Sequence, residues 1–441
     1  MDNEANRGVL SKCVTPRLLK ELAGNQSCCI FRTSHSLRRM NTYAYEPELL
    51  SIGPYHHGKY NLRMIEEHKP RFLRLFVEEA GKNGVSYDVL LEAVSKQEEA
   101  IRTSYSGDFI FNRKKLMDMM LLDGCIILML FLIISRKLDI TIKDDPIFKM
   151  PWILPAIHRD LLLLENQVPL FLLETLMVTS KISPPGGMNK MAFKFFTYST
   201  QLPGLSRPSN YNIQAKHLLD LIRQTFIPYP SKKDKTQDHS SLSIPCWRGR
   251  KSQTGTWESC SDPFLRLITS ATRLHSKGLV LKPSVEADTW LDIKVKKGVL
   301  EIPPLVLDDF IGQVFLNFVA FEQFYSYCAN HITSYVAFMG CLLNEEADAR
   351  LLREKGIMEN YFETDQQVSR FFKIIGKDTT FDISKSYLAD VFEGVNKQAS
   401  KGNRLRCKEL SHTFFGSPWT SVASFAALLL LGLTIIQTFT V

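Results

Sequence analysis

The chain has 441 residues and a hydrophobic content of 45%, enough for a packed core and for two or three domains. Its 54 basic and 46 acidic residues leave a net charge of +8 spread along the sequence. No stripe interleaves Lys and Arg with aromatic residues, so a nucleic-acid surface is not expected.

Residues 1–25 are polar and read as a flexible N-terminus, with no basic and apolar leader after Met1-Asp2-Asn3-Glu4, hence no secretory signal. The nine cysteines are odd in number and form no Cys-x-x-Cys pair; Cys125 and Cys341 lie in apolar runs and read as reduced core residues. Ser51-Ile-Gly-Pro-Tyr-His-His-Gly58 is a turn-rich loop. A helix follows from about Asn61, with Leu62, Ile65, Phe72, Leu73, Phe76 and Val77 near a 3.6-residue period and Pro70 placed to kink or split it before Gly81. Lys114–Ser135 is a second helix. Its uncharged centre, Gly124–Ile134, would span about 16 Å, half a bilayer, so a buried core helix is expected rather than a membrane span.

Pro151-Trp152 and Pro155 read as a turn-rich connection, and Glu165-Asn166-Gln167 is placed to cap a helix over Leu170–Val178. From Pro184 to Ser261 the core pattern thins, with a short helix around His217–Phe226 as the exception; 228–261 reads as a flexible surface insertion. Asp262-Pro263 has the signature of a helix start, predicting a helix around Leu265–Ser276. Leu291–Val295 and Val299–Ile302 alternate across Lys296-Lys297-Gly298 as a β-hairpin. Asp308 or Asp309 caps a Phe-rich helix, and further helices are predicted at Ile332–Leu343, Glu345–Lys355 and Gln366–Ile375. The fold class is mainly α: a multi-helix globular body over 26–410 with one small hairpin, followed by a C-terminal transmembrane helix at 418–441.

That last segment carries no charge from Thr420 to Val441 and would form a helix of about 30 Å, the thickness of a bilayer's apolar core. Its apolar residues include Val422, Phe425, Leu428, Leu429, Leu430, Leu431, Leu433, Ile435, Ile436 and Phe439, with Trp419 suited to the headgroup layer. On the insertion scale they favour the membrane by about 3–6 kcal/mol. Upstream, Lys397, Lys401, Arg404, Arg406 and Lys408 face Glu409 alone, which by the positive-inside rule puts the body in the cytosol. The expected arrangement is a single-pass tail anchor in the endoplasmic reticulum or plasma membrane. In the cytosol the Asn25-Gln26-Ser27 sequon would carry no glycan.

Signatures such as Gly-x-Ser-x-Gly, the phosphate loop, Gly-x-Gly-x-x-Gly and His-Glu-x-x-His are missing. The residue types a metal site wants gather at His56, His57, Glu67 and His68. Glu67 and His68 are adjacent on a helix and point about 100° apart. The histidine pair is therefore expected to pack and hydrogen-bond within its loop, with Glu66, Glu67 and His68 near solvent. Asp123, Glu165, Asn166, Gln167, Glu322 and Gln323 sit in apolar runs. They are expected to satisfy buried backbone groups, the alternative being general-acid chemistry. No catalytic, metal or cofactor residues are assigned.

Tyr45-Glu-Pro-Glu-Leu-Leu-Ser-Ile-Gly-Pro-Tyr-His-His-Gly58, Glu66-Glu-His-Lys69, Asp123-Gly-Cys125, Asp160–Leu173 and Gly298–Pro304 resemble, in order, the blocks of the plant domain-of-unknown-function 247 family. So do Phe321-Glu-Gln323, Thr333–Phe338 and the Trp-containing C-terminal segment. The resemblance implies a plant protein with a helical body and a membrane anchor, and no catalytic residues to carry over. Protein–protein recognition is a theme of some grass relatives. The sequence departs from the family at Arg32-Thr33-Ser34 and at Pro70. The reading is a membrane-anchored module that binds an unidentified protein partner; the alternative is a membrane-associated enzyme using His56, His57 or the buried carboxylates.

Overall fold

A computed structural model describes residues 19–135, 145–184, 186–199, 207–228, 267–287, 289–377 and 379–401. The expected insertion, Asp262-Pro263 and the apolar C-terminal segment lie outside them. Helix accounts for 59% and strand for 6%, so the body is mainly helical with small sheets.

Pro70 splits the first predicted helix as its missing amide requires. A short turn at Arg63–Glu66 is followed by α1 (Lys69–Gly81), with Pro70 in the first turn where no intrahelical donor is needed. Helix α2 (Arg113–Ile134) starts at Asn112, whose side chain accepts from the Lys115 amide. It is long and apolar enough to cross a membrane, yet its middle is buried against α1, Tyr87–Ser95, α3 (Leu170–Ser180) and Gly187–Ser199. Gly124 lets α3 approach: a Cβ there would collide with Leu176. A helix with apolar residues on every side is stable in water only when surrounded in this way.

Several helices were not expected, among them Tyr87–Ser95, Glu98–Thr103 and the helix over 389–401. Ile153–Asp160 forms despite Pro155, which sits in its first turn. Gly187–Ser199 lies where the sequence reads as a thinning core, but it buries Met191, Phe193, Phe195 and Phe196, the last two against Phe131 of α2. Residues 19–25 are not free either: Lys20 pairs with Asp108 and its amide bonds Ser106.

In the C-terminal half, α4 (Leu218–Phe226) packs on α5 (Asp309–Phe324), which packs on α6 (His331–Leu342). Arg223, only 3% exposed, binds Asp220 at 3.0 Å and Glu322 at 3.0 Å; Glu322 also accepts from the Ile332 and Thr333 amides at the start of α6. Burial opposes the Arg223 charge, but the two carboxylates win and raise its pKa. Phe226 stacks on Trp290 at 4.7 Å. The helix predicted from Leu265 begins only at Ala271; residues 267–270 are not helical.

The predicted hairpin is present: β2 (Lys294–Lys296) pairs antiparallel with β3 (Val299–Ile302). Lys297 and Gly298 both have positive φ, the turn that matches strand twist. A third strand, β1 (Val280–Pro283), lies parallel to β3. A separate parallel pair joins β4 (Leu305–Leu307) to β5 (Met358–Asn360). The last described helix, α7, covers 389–401.

Two buried histidines set an acid limit. His158 lies against Phe195, its Nε2–H donating to the Phe195 carbonyl at 2.8 Å. His217 caps α4: Nδ1 accepts from the Asp220 amide while Nε2–H donates to the Cys29 carbonyl. Burial pushes both down to about 4. The unfolded ring titrates near 6.5, so unfolding takes up protons below that pH, and stability present above 6.5 is lost as pH falls toward 4. Between pH 7 and pH 5 the pair removes about 4 kcal/mol. Denaturant titrations should show that loss; a flat profile would mean that the rings are charged or exposed in the fold.

Candidate functional site

The motif-rich segments meet around one stretch of backbone. Leu49 through His56 are all buried, yet 48–53 belongs to no helix and no strand ladder. An extended chain in an apolar interior leaves amides and carbonyls that must find partners. Side chains supply them. Asp160, at the end of Ile153–Asp160, accepts from the amides of Glu48, Leu49 and Leu50 at 2.9, 2.8 and 2.7 Å. Asn166 accepts from Ile52 and donates to Leu50 and to Asp160, all within 2.8 Å. Asp123 accepts from Gly53 at 2.8 Å.

Lys69 completes the arrangement. It is 1% exposed, donates to the Ser51 carbonyl at 2.5 Å, and pairs with Asp123 and Glu66 at 2.6 Å each. Gly53 has φ +71°, and a Cβ there would stand 2.6 Å from the Gln167 carbonyl oxygen. That oxygen accepts from Tyr105 at 2.9 Å, while the Gln167 side chain donates to Leu161 and Leu163 and accepts from Leu219.

The expected histidine site comes apart. His56 is buried and lies 3.7 Å from Glu165, beyond hydrogen-bond reach, and neither ring nitrogen has a partner among the described residues. The expectation that it bonds within its loop is therefore wrong. Burial, then Lys59, Arg38 and Arg32, hold its pKa down to about 3, so the ring is neutral. His57 is half-buried and turns away, edge-on to Phe111 at 5.6 Å. Glu67 is exposed and Glu66 and His68 half-buried, as the helix geometry required. Among the described residues, no group of three or more His, Cys, Asp and Glu is placed to hold a metal ion.

Glu165 has little capacity left for chemistry. It binds Arg38 through both oxygens at 2.6 Å and accepts from the Thr33 amide at 2.6 Å and from the Thr33 hydroxyl. Thr33 and Ser34, where the sequence departs from the family pattern, thus have assignable tasks, since Ser34 caps His35–Met40 through the Leu37 amide. Arg38 continues to Glu46 and Glu46 to Lys59, which carries the network to the surface. Glu322 caps α6, and Gln323 accepts from the Thr380 amide at 2.8 Å. Asp123, Glu165, Asn166, Gln167 and Glu322 satisfy buried backbone as expected, whereas Gln323 serves the exposed Thr380 amide and α3, with Pro169 at its N-cap, receives no side-chain cap from Glu165-Asn166-Gln167.

The sequence reading missed Lys69, Asp160, Arg223 and Asn317. Lys69 had a signal: it occupies the apolar stripe of Leu62, Ile65, Phe72 and Phe76. Asn317, on the Phe-rich α5, donates to Ala44 and accepts from Leu164; nothing local marks it.

The DUF247 family model, described as a plant protein of unknown function, matches residues 30–433. This chain belongs to that family. It is 46% identical over 426 residues to UPF0481 protein At3g47200 of Arabidopsis thaliana, covering 96% of this chain and 88% of the relative. To the putative UPF0481 protein At3g02645 of the same plant it is 22% identical, covering 93% and 89%. No solved structure matches this DUF247 member. The blocks quoted from the sequence as family-like are in large part those that pin residues 48–53.

Two substitutions separate a structural from a chemical role. Asp160→Ala orphans the buried amides of Leu49 and Leu50 and the part-buried amide of Glu48, and should cost about 3–5 kcal/mol in denaturant unfolding. His56→Leu removes no hydrogen bond and should stay within about 1 kcal/mol of the parent. The reverse order would refute this assignment. In acid, His56 adds to the loss described for His158 and His217. Burial lifts Asp160 to about 6 despite its three amide donors, and this group acts oppositely, adding about 1 kcal/mol as pH falls from 7 to 5.

Proposed function

We propose that this DUF247 member is a single-pass membrane protein whose helical body binds another protein at the cytosolic face of the endoplasmic reticulum or plasma membrane. The observation that carries the reading is the uncharged stretch of 22 residues from Thr420 to Val441. The family match runs to residue 433 and so takes in most of that stretch. Orientation is argued from Arg404, Arg406 and Lys408 just before it.

The interaction half of the proposal draws on the surface. Tyr43 is 88% and Tyr60 82% exposed, on turns tied together by the Glu46–Lys59 pair at 3.4 Å. Exposed tyrosines beside arginine are the residue types that anchor protein interfaces. The Arg38–Glu165–His56 group offers a poor alternative as a catalytic centre, because the carboxylate is saturated with donors and the imidazole is held far from a useful basicity.

Anchoring is tested with Leu430→Arg/Leu431→Arg in the full chain. Two central arginines cost about 5–7 kcal/mol against the roughly 3–6 kcal/mol that favours insertion. The parent should resist alkaline carbonate extraction and the variant should be released; retention of both would refute the anchor. In the same membranes, proximity labelling should lose its specific partner set in Tyr43→Ala/Tyr60→Ala. An unchanged set would remove this surface from the proposal.

A further inference from the structure

The described body ends at Lys401, and the structure shows what surrounds that end. The hairpin turn Lys297-Gly298 lies against α7, where a Cβ on Gly298 would stand 2.9 Å from the Gln398 amide nitrogen. One turn earlier, Gly394 packs against Val295 of β2. Strand β1 is parallel to β3, so it too begins here, and the Val280 amide donates to the Gly298 carbonyl at 2.9 Å. The start of two strands, the hairpin tip and the last turn of α7 therefore share one end of the body.

That end is basic. Lys296, Lys297, Lys397 and Lys401 are exposed and Lys277, just before β1, is half-exposed. None of the five has an ion-pair partner among the described residues, whereas neighbouring Lys294 is paired with Asp292 at 2.6 Å. Lys397 and Lys401 are four apart on α7 and so project from one side of it. The exposed acidic residues on that helix are Glu393, one turn back, and Asp390, two turns back. Beyond Lys401 the sequence adds Arg404, Arg406 and Lys408 before the apolar segment.

We propose that this face docks on the anionic headgroups of the bilayer that holds residues 420–441; the inference rests on the anchor reading above. The occupant follows from charge and connectivity. The 18 residues 402–419 can span at most about 60 Å, so this end of the body is held where a negative bilayer surface is available. Clustered lysines near such a surface are attracted within a screening length of about 8 Å at physiological salt. Docking would fix the body's orientation on the membrane.

The test uses the full chain reconstituted into phosphatidylcholine vesicles with or without 30% phosphatidylserine (about one lipid in three), a membrane-impermeant acetylating reagent, and mass spectrometry of each lysine. Flotation is read on the same samples. Acetylation of Lys277, Lys296, Lys297, Lys397 and Lys401 should fall about fivefold in the anionic vesicles, with Lys82 and Lys114 unchanged. In 1 M salt, where screening acts within about 3 Å, the difference should vanish. Lys296→Glu/Lys297→Glu/Lys397→Glu/Lys401→Glu should still float while Lys277 loses its protection. Equal acetylation in both vesicle types, with the chain floating, overturns the docking face and leaves the anchor standing. Failure to float overturns both.

Discussion

A backbone that enters the core without a strand partner imposes most of what is specific about this fold. Residues 48–53 must have their amides and carbonyls satisfied, and the nearest secondary structure is helical, with its own main-chain groups already bonded. Asp160, Asn166, Asp123 and Lys69 fill that role. Each comes from a different place: the end of Ile153–Asp160, the loop before α3, the middle of α2 and the start of α1. Those elements can then settle only where their polar side chains reach the segment. Apolar packing alone would let α1 and α2 slide past each other; the buried Lys69–Asp123 pair fixes their register at a desolvation cost offset by the bonds of Lys69 to Ser51 and Glu66 and of Asp123 to Gly53.

This constraint changes how the family-like motifs are understood. Histidine, glutamate and asparagine in short blocks invite a catalytic reading, and a buried carboxylate beside an imidazole would ordinarily strengthen it. Here the Glu165 oxygens are occupied by Arg38 and Thr33, and His56 is a neutral ring beyond bonding distance. The chemistry-bearing residues are used in folding. On the surface, Tyr43 and Tyr60 stand exposed, and a cluster of lysines surrounds the hairpin tip.

Sequence reasoning captured the parts governed by local rules. The 3.6-residue period, Pro70, Asp308 and the Lys-Gly turn each act within a few residues, and the structure places helices, a split, a cap and a hairpin there. It failed where tertiary partners decide. Gly187–Ser199 is helical because α2 offers a surface for Phe195 and Phe196, and β1 exists because β3 lies beside it, nearly twenty residues on. The Arg223–Glu322 pair joins residues 99 positions apart, so neither end marks the other. The roles of Glu165, Asn166 and Gln167 as backbone partners were legible, since polar side chains in apolar runs must be satisfied. Which backbone they serve was not.

Native-state hydrogen exchange of the amides of Glu48, Leu49, Leu50, Ile52 and Gly53 tests the central claim most directly. These residues form no regular secondary structure, so a loop held only by packing would exchange through local opening with protection near that of other loops. If buried side chains hold this segment as an integral part of the core, its amides should open only with global unfolding. They would then exchange with the slowest amides of α2, at protection factors of about 10⁴ or more. Exchange orders of magnitude faster than α2 would contradict the account.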